Sequence, residues 1–139
     1  MSGAMIDQRS QALRFITVRN FLLTTTLALT SAPAMAQNVG DWVLSPWQGS
    51  SVLYPGVVVA RSGSSVTIQF DDGDVETRMA HTVQPYDWRK GSKIACQWSD
   101  GEWYRATITA MGSDGYSLQI RYDDDGSLEN TSTSRCRTR

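Results

Sequence analysis

The feature that most constrains this chain is that it says the same thing twice. One order of residues runs Gly40-Asp41-Trp42-Val43-Leu44-Ser45-Pro46-Trp47, then Tyr54-Pro55-Gly56-Val57-Val58, then Ile68-Gln69-Phe70-Asp71-Asp72-Gly73. It returns as Gly91-Ser92-Lys93-Ile94-Ala95-Cys96-Gln97-Trp98, then Tyr104-Arg105-Ala106-Thr107-Ile108, then Ile120-Arg121-Tyr122-Asp123-Asp124-Asp125-Gly126. Gly40 and Gly91 are 51 positions apart, as are Trp47 and Trp98; Tyr54 and Tyr104 are 50 apart, Phe70 and Tyr122 52, Gly73 and Gly126 53. The offset drifts only between the apolar segments, where turns tolerate insertion. A fixed period of this size marks a duplicated small domain.

Inside each copy, apolar residues alternate with polar ones, as in Val66-x-Ile68-x-Phe70 and Leu118-x-Ile120-x-Tyr122, and turn chemistry separates them at Ser62-Gly63-Ser64, Asp100-Gly101 and Ser113-Asp114-Gly115. Alternation with period two is the signature of half-buried strands, and no helical period competes with it. The expected fold is all-β, with two small five-stranded SH3-like barrels in tandem, over residues 37–86 and 87–139, the first and last strands of each pairing. Barrels of that size bury little apolar surface alone, so the two are expected to pack together. Pro85 ends the last strand of the first copy, and Trp88 is expected between the copies, since an exposed indole in a short linker costs solubility.

The first 36 residues read differently. Arg9, Arg14 and Arg19 precede an apolar stretch around Phe21-Leu22-Leu23 and Leu27-Ala28-Leu29, and Ala34-Met35-Ala36 offers a small-x-small site. That order predicts a secretory signal peptide over residues 1–36, cleaved before Gln37, and a periplasmic or secreted protein with no membrane span after cleavage. Residues 37–139 carry 10 Lys and Arg against 13 Asp and Glu. With a mildly acidic balance and no run of basic residues, nucleic acid is a disfavoured partner.

Cys96 and Cys136 fall in the first and last strands expected for the second copy, at the places held by Ser45 and Val83 in the first. Those strands neighbour each other in such a barrel and export leads to an oxidising compartment, so a Cys96–Cys136 disulfide is expected; two buried thiols or an intermolecular bridge are the alternatives. Two cysteines and the single His81 cannot close a zinc site, and the consecutive aspartates of the Asp-Asp-Gly turns diverge too much for a calcium loop, so no metal or cofactor is expected. There is no nucleophile elbow, no phosphate loop and no His81 equivalent in the second copy, where Ser134 stands. An enzyme is therefore not expected.

The elements Gly-x-x-(Val/Ile)-x-x-x-Trp, Tyr-x-(Gly/Ala)-x-(Val/Ile) and hydrophobic-x-(Phe/Tyr)-Asp-Asp resemble tandem Tudor-like domains of the Tudor/Agenet superfamily, across residues 39–137. The resemblance implies an open aromatic cage for a methylated lysine or arginine in each copy: Trp47, Tyr54, Phe70 and Asp72 in the first, Trp98, Tyr104, Tyr122 and Asp125 in the second. An aromatic expected shortly after the third strand is replaced by the Asp-Asp-Gly turn, leaving three walls. Ring faces attract a cation and a nearby carboxylate accepts any N–H it retains. The implied activity is non-enzymatic recognition of a cationic segment on a protein or peptide partner. Two other functions fit the same residues: a structural or subunit-contact module with its aromatics buried, and a cell-envelope glycan binder using the rings as platforms.

Overall fold

The computed structural model describes residues 37–139; the expected signal peptide lies outside them. The described residues form one compact unit. Strands β1 (Trp42–Pro46), β2 (Leu53–Ser62), β3 (Ser65–Phe70), β4 (Val75–Met79) and β5 (Gln84–Pro85) make the first repeat. Strands β6 (Lys93–Gln97), β7 (Trp103–Met111), β8 (Ser117–Tyr122), β9 (Leu128–Ser132) and β10 (Cys136–Thr138) make the second.

Each repeat is one antiparallel five-stranded sheet, ordered β4-β3-β2-β1-β5 in the first and β10-β6-β7-β8-β9 in the second. First and last strands pair in both, β1 with β5 and β6 with β10. The duplication extends to a register shift between Val58 and Ala60 on β2 and between Ile108 and Ala110 on β7. An extra residue there bends the long second strand, which lets five strands curl around a small core.

The hydrogen-bonded ladders do not close into complete barrels: β4 and β5 remain the two edges of one sheet, β9 and β10 of the other. A single 3₁₀ turn crosses between those edges, at Ala80–Thr82 and again at Thr133–Arg135. In the first repeat the strand beyond it is only Gln84–Pro85, too short to ladder on two sides and ending in a residue with no N–H.

Strand alternation explains the cores. Val43, Val58, Val66, Ile68, Phe70 and Val83 cluster within the first repeat, while Leu44, the next residue along β1, joins Trp88, Ile94, Ile108 and Ile120 in the core of the second. β1 thus buries both faces, one inward and one against its neighbour. Trp88 is 7 % exposed and belongs to this shared core, which fixes the linker. A second seam lies at the β7–β8 hairpin, whose Tyr116 packs on Trp42 at a ring separation of 5.5 Å. Gly115 there has φ +75°, and a Cβ on it would lie 1.7 Å from the Trp42 ring, so no other residue lets the hairpin approach. Cys96 and Cys136 oppose each other across β6 and β10 and are joined by a disulfide.

Candidate ligand-binding site

The two predicted aromatic sets are each brought together by their folds, and they end in different states. In the second repeat, Trp98 follows β6, Tyr104 lies on β7 and Tyr122 ends β8. The rings of Trp98 and Tyr104 both stand nearly perpendicular to Tyr122, at 81° and 89°, with centroids 5.3 and 6.2 Å away. Three walls around one space result. The cavity between them is about 270 Å³, and Asp100, Asp124, Asp125 and Ser127 complete its lining.

The hydroxyls of the cage are held by acids. Tyr104 Oη donates to Asp100 Oδ2 at 2.7 Å, and Tyr122 Oη donates to the Glu129 carboxylate. The Tyr104 bond, reinforced by the Glu102 amide, holds the Asp100 carboxyl below the usual carboxylate range, while the same bond pushes the Tyr104 phenol up. Burial, followed by the bond to Glu129, raises the Tyr122 phenol well above its ordinary value. Asp125 Oδ1 accepts the Ser127 amide at 2.9 Å, which keeps its carboxyl low as well. At neutral pH the rings stay uncharged and the rim stays anionic. A cavity of this kind favours a cation: quadrupoles act within about 6 Å of each ring centroid, and carboxylates supply charge-assisted acceptors.

In the first repeat the equivalent residues also meet, with Trp47 and Tyr54 at 5.6 Å and 62°. The space among Trp47, Tyr54, Phe70 and Asp72 is only about 10 Å³, and Thr133, Ser134 and Cys136 of the second repeat form part of its wall. That is about the size of one water probe. Thr133 is fully buried and its hydroxyl donates to Asp71. The remaining polar handles are also committed. Trp47 Nε1 donates to Asp74 Oδ2 at 2.9 Å, and Asp72 Oδ1 accepts the Asp74 amide at 3.0 Å. Tyr54 Oη accepts from Arg137 Nη1 at 3.0 Å, and its ring meets Trp103 edge-on at 6.1 Å. Arg137 completes the stack with its guanidinium 4.1 Å from the Trp103 ring centroid. Trp103, opposite in direction to Tyr104 on β7, therefore belongs to the contact between repeats.

Asp100, Asp124 and Glu129 escaped the sequence reading. Asp100 carried a usable signal: it lies four residues before Tyr104 across a tight Asp-Gly turn, within reach of the phenol once the strands are antiparallel. Glu129 had none, since its approach to Tyr122 depends on the pairing of β8 with β9. The arrangement of the basic residues was not legible either. No run of them exists in sequence, yet the register aligns Arg137, Ala95 and Arg105 across β10, β6 and β7, and Lys93, Thr107 and Arg121 across β6, β7 and β8. Alternation then puts all four cations on one face of the second sheet.

A Tudor domain family model matches residues 64–138, more than half of the chain. The chain belongs to the Tudor domain family. Tudor domains are generally non-catalytic binding modules for proteins and peptides. The matched segment takes in the whole second repeat, with the open cage, and the last strands of the first. Among solved structures the Tudor chain is similar to Arabidopsis thaliana AGDP1 AGD34, at 15 % identity and TM-score 0.37 over 74 % of this chain and 82 % of that one. It is also similar to ADCP1 tandem Agenet domain 3-4, at 16 % identity and TM-score 0.34 over 74 % and 80 %. No curated protein matches the sequence. Among the described residues no helix is long and apolar enough to cross a membrane, and no cluster of His, Cys, Asp and Glu is suited to a metal.

Proposed function

We propose that this Tudor protein is a single-site reader of a cationic side chain, a methylated lysine or arginine on a segment of a protein partner, and that the second repeat does the reading. The observation that carries this is the open, three-walled cage of Trp98, Tyr104 and Tyr122 with carboxylates on its rim. Its volume lies below the roughly 300–1,000 Å³ of pockets that enclose whole drug-sized ligands, which suits one side-chain head rather than a free metabolite. Asp125 and Asp100 lining the cavity favour a cation over a sugar ring, for which stacked aromatics without a ring of anions suffice. The first repeat fits the structural reading of the same residues, its aromatics spent on the contact with the second. Avidity from two cages on one partner is accordingly not part of the proposal.

The division of the folded part into repeats of residues 37–86 and 87–139, the export signal over 1–36 and a periplasmic or secreted location remain part of the same proposal, supported by the sequence patterns described above. In that setting the ligand is an exported or extracellular protein.

Titrating the full chain with mono-, di- and trimethyllysine and methylarginine peptides, followed by Trp fluorescence and amide NMR shifts, tests the function. Shifts centred on Trp98, Tyr104 and Tyr122, absent in a folded Trp98→Ala variant, are expected. No shifts at millimolar peptide would leave the cage as packing.

A further inference from the structure

The cage does not stand alone on the surface of the second repeat. A shallow groove lined by Lys93, Thr107, Thr109, Arg121, Asp123 and Gly126 shares Tyr122 with it. Gly126 follows Asp125 of the cage rim directly, so the two cavities lie on either side of the β8–β9 turn. Their charges are opposite. The cage rim is acidic, whereas Lys93 and Arg121 are exposed and among the described residues neither has a carboxylate within salt-bridge distance. Lys93 Nζ donates to Thr107 Oγ1 at 2.7 Å, which turns the ammonium over the sheet. The one acid in the groove, Asp123, is already engaged, accepting from Thr107 Oγ1 at 3.0 Å and paired with Arg139. With Arg139 counted against Asp123, the groove keeps two uncompensated positive charges.

We propose that this groove is an anion subsite that receives an aspartate or glutamate side chain of the same extended segment whose cation fills the cage. The inference rests on the cage reading for its first anchor and adds a sequence requirement to it. Tyr122 lines both cavities, with its ring in the cage and Arg121 on the opposite face of β8. The segment therefore passes over the β8–β9 turn between them, and at a strand rise of about 3.3 Å per residue an acid roughly two to four residues from the cation is the spacing to test. Opposite potentials side by side also fix the direction in which the segment lies and reject partners with a basic residue at that position, where like charges repel.

The test uses the full chain and two peptides, each with a central dimethyllysine, flanked at two to four residues by aspartates in one and asparagines in the other. At low salt the aspartate peptide should bind about fivefold to tenfold more tightly, as for two exposed ion pairs. The difference should shrink as salt rises and vanish in Lys93→Gln/Arg121→Gln, with the asparagine peptide unaffected by those changes and both affinities unaffected by Arg89→Gln on the linker. Equal affinity of the two peptides for the unaltered protein would overturn the inference. A third peptide with aspartates and norleucine in place of dimethyllysine separates the two readings. If this peptide binds as tightly as the dimethyllysine peptide with aspartates and both shift the amides around Lys93 and Thr107 but not those of Trp98 and Tyr104, the groove stands and the cage falls; if nothing moves with any peptide, both fall. A phosphoserine peptide that binds where the aspartate peptide does not would overturn the carboxylate assignment.

Discussion

The two aromatic sets are made of equivalent residues and end in opposite geometries. Trp47, Tyr54 and Phe70 meet as Trp98, Tyr104 and Tyr122 do, yet the first set encloses about 10 Å³ and the second about 270 Å³. The local sequences do not account for this, since both sets pair Trp, Tyr and a third aromatic followed by aspartates. What differs is the neighbour. The Thr133–Arg135 turn of the second repeat lies over the first cage, while the corresponding Ala80–Thr82 turn of the first is not among the residues lining the second. A tandem duplication thus provides its own lid for one copy and leaves the other open.

The lid is tied down by covalent chemistry, and removing the tie has the largest expected effect. Cys96 and Cys136 are 40 residues apart, and closing a loop of that length stabilises the fold by about 4 kcal/mol in the chain-entropy model. Cys96→Ala/Cys136→Ala should therefore lower the urea midpoint strongly. Amide exchange should then report opening first at Thr133–Cys136 and around Tyr54, while the fraction that remains folded still binds cations at the second cage.

Thr133→Val attacks the lid itself. It keeps the shape and removes the donor to Asp71, a hydrogen bond to a charged group that is worth about 1.5–3 kcal/mol, at the lower end because Asp71 is only partly buried. Burial already raises the Asp71 carboxyl, partly offset by the Thr133 bond, so the variant raises it further. A raised folded-state value means the native chain takes up the proton more readily than the unfolded chain, and the deficit should narrow as pH falls through the carboxylate range. Urea melts at neutral and mildly acidic pH check both parts.

The comparison sharpens on binding. Trp98→Ala should reduce affinity for methylated peptides by about twofold to thirtyfold, given about 0.5–2 kcal/mol for one cation–π wall. Trp47→Ala should cost stability and leave affinity unchanged. Equal losses in the two variants, measured by calorimetric titration, would erase the distinction between the repeats.

The smallest effect is on the rim. Because Tyr104 holds Asp100 below the usual carboxylate range, its charge persists as pH falls, and the contribution of Asp100 to cation affinity should be lost only below that range. Tyr104→Phe keeps the ring and removes the hydroxyl, so the Asp100 carboxyl moves up and the acid-side loss of affinity begins at higher pH. A pH series of dissociation constants for the two proteins reads the shift directly.

Much of this was readable from residue order. Alternation of apolar residues dictated strands, because side chains on a pleated backbone point to opposite faces and only one pattern buries them. The repeat dictated two sheets of like topology, and the places of Cys96 and Cys136 in the first and last strands of one sheet made their pairing a local matter. The aromatic sets gathered for the same reason, each lying at the end of a strand whose neighbours the sequence already named. Tertiary structure alone decided which set stays open. Leu44 joins the second core, Gly115 admits the hairpin onto Trp42, and Thr133 is carried over Asp71. These are contacts between residues 44 or more positions apart, set by how two sheets fill each other's gaps and not by any local pattern. The cationic face followed the same logic: Lys93, Arg105, Arg121 and Arg137 become one surface only when register lays four strands side by side.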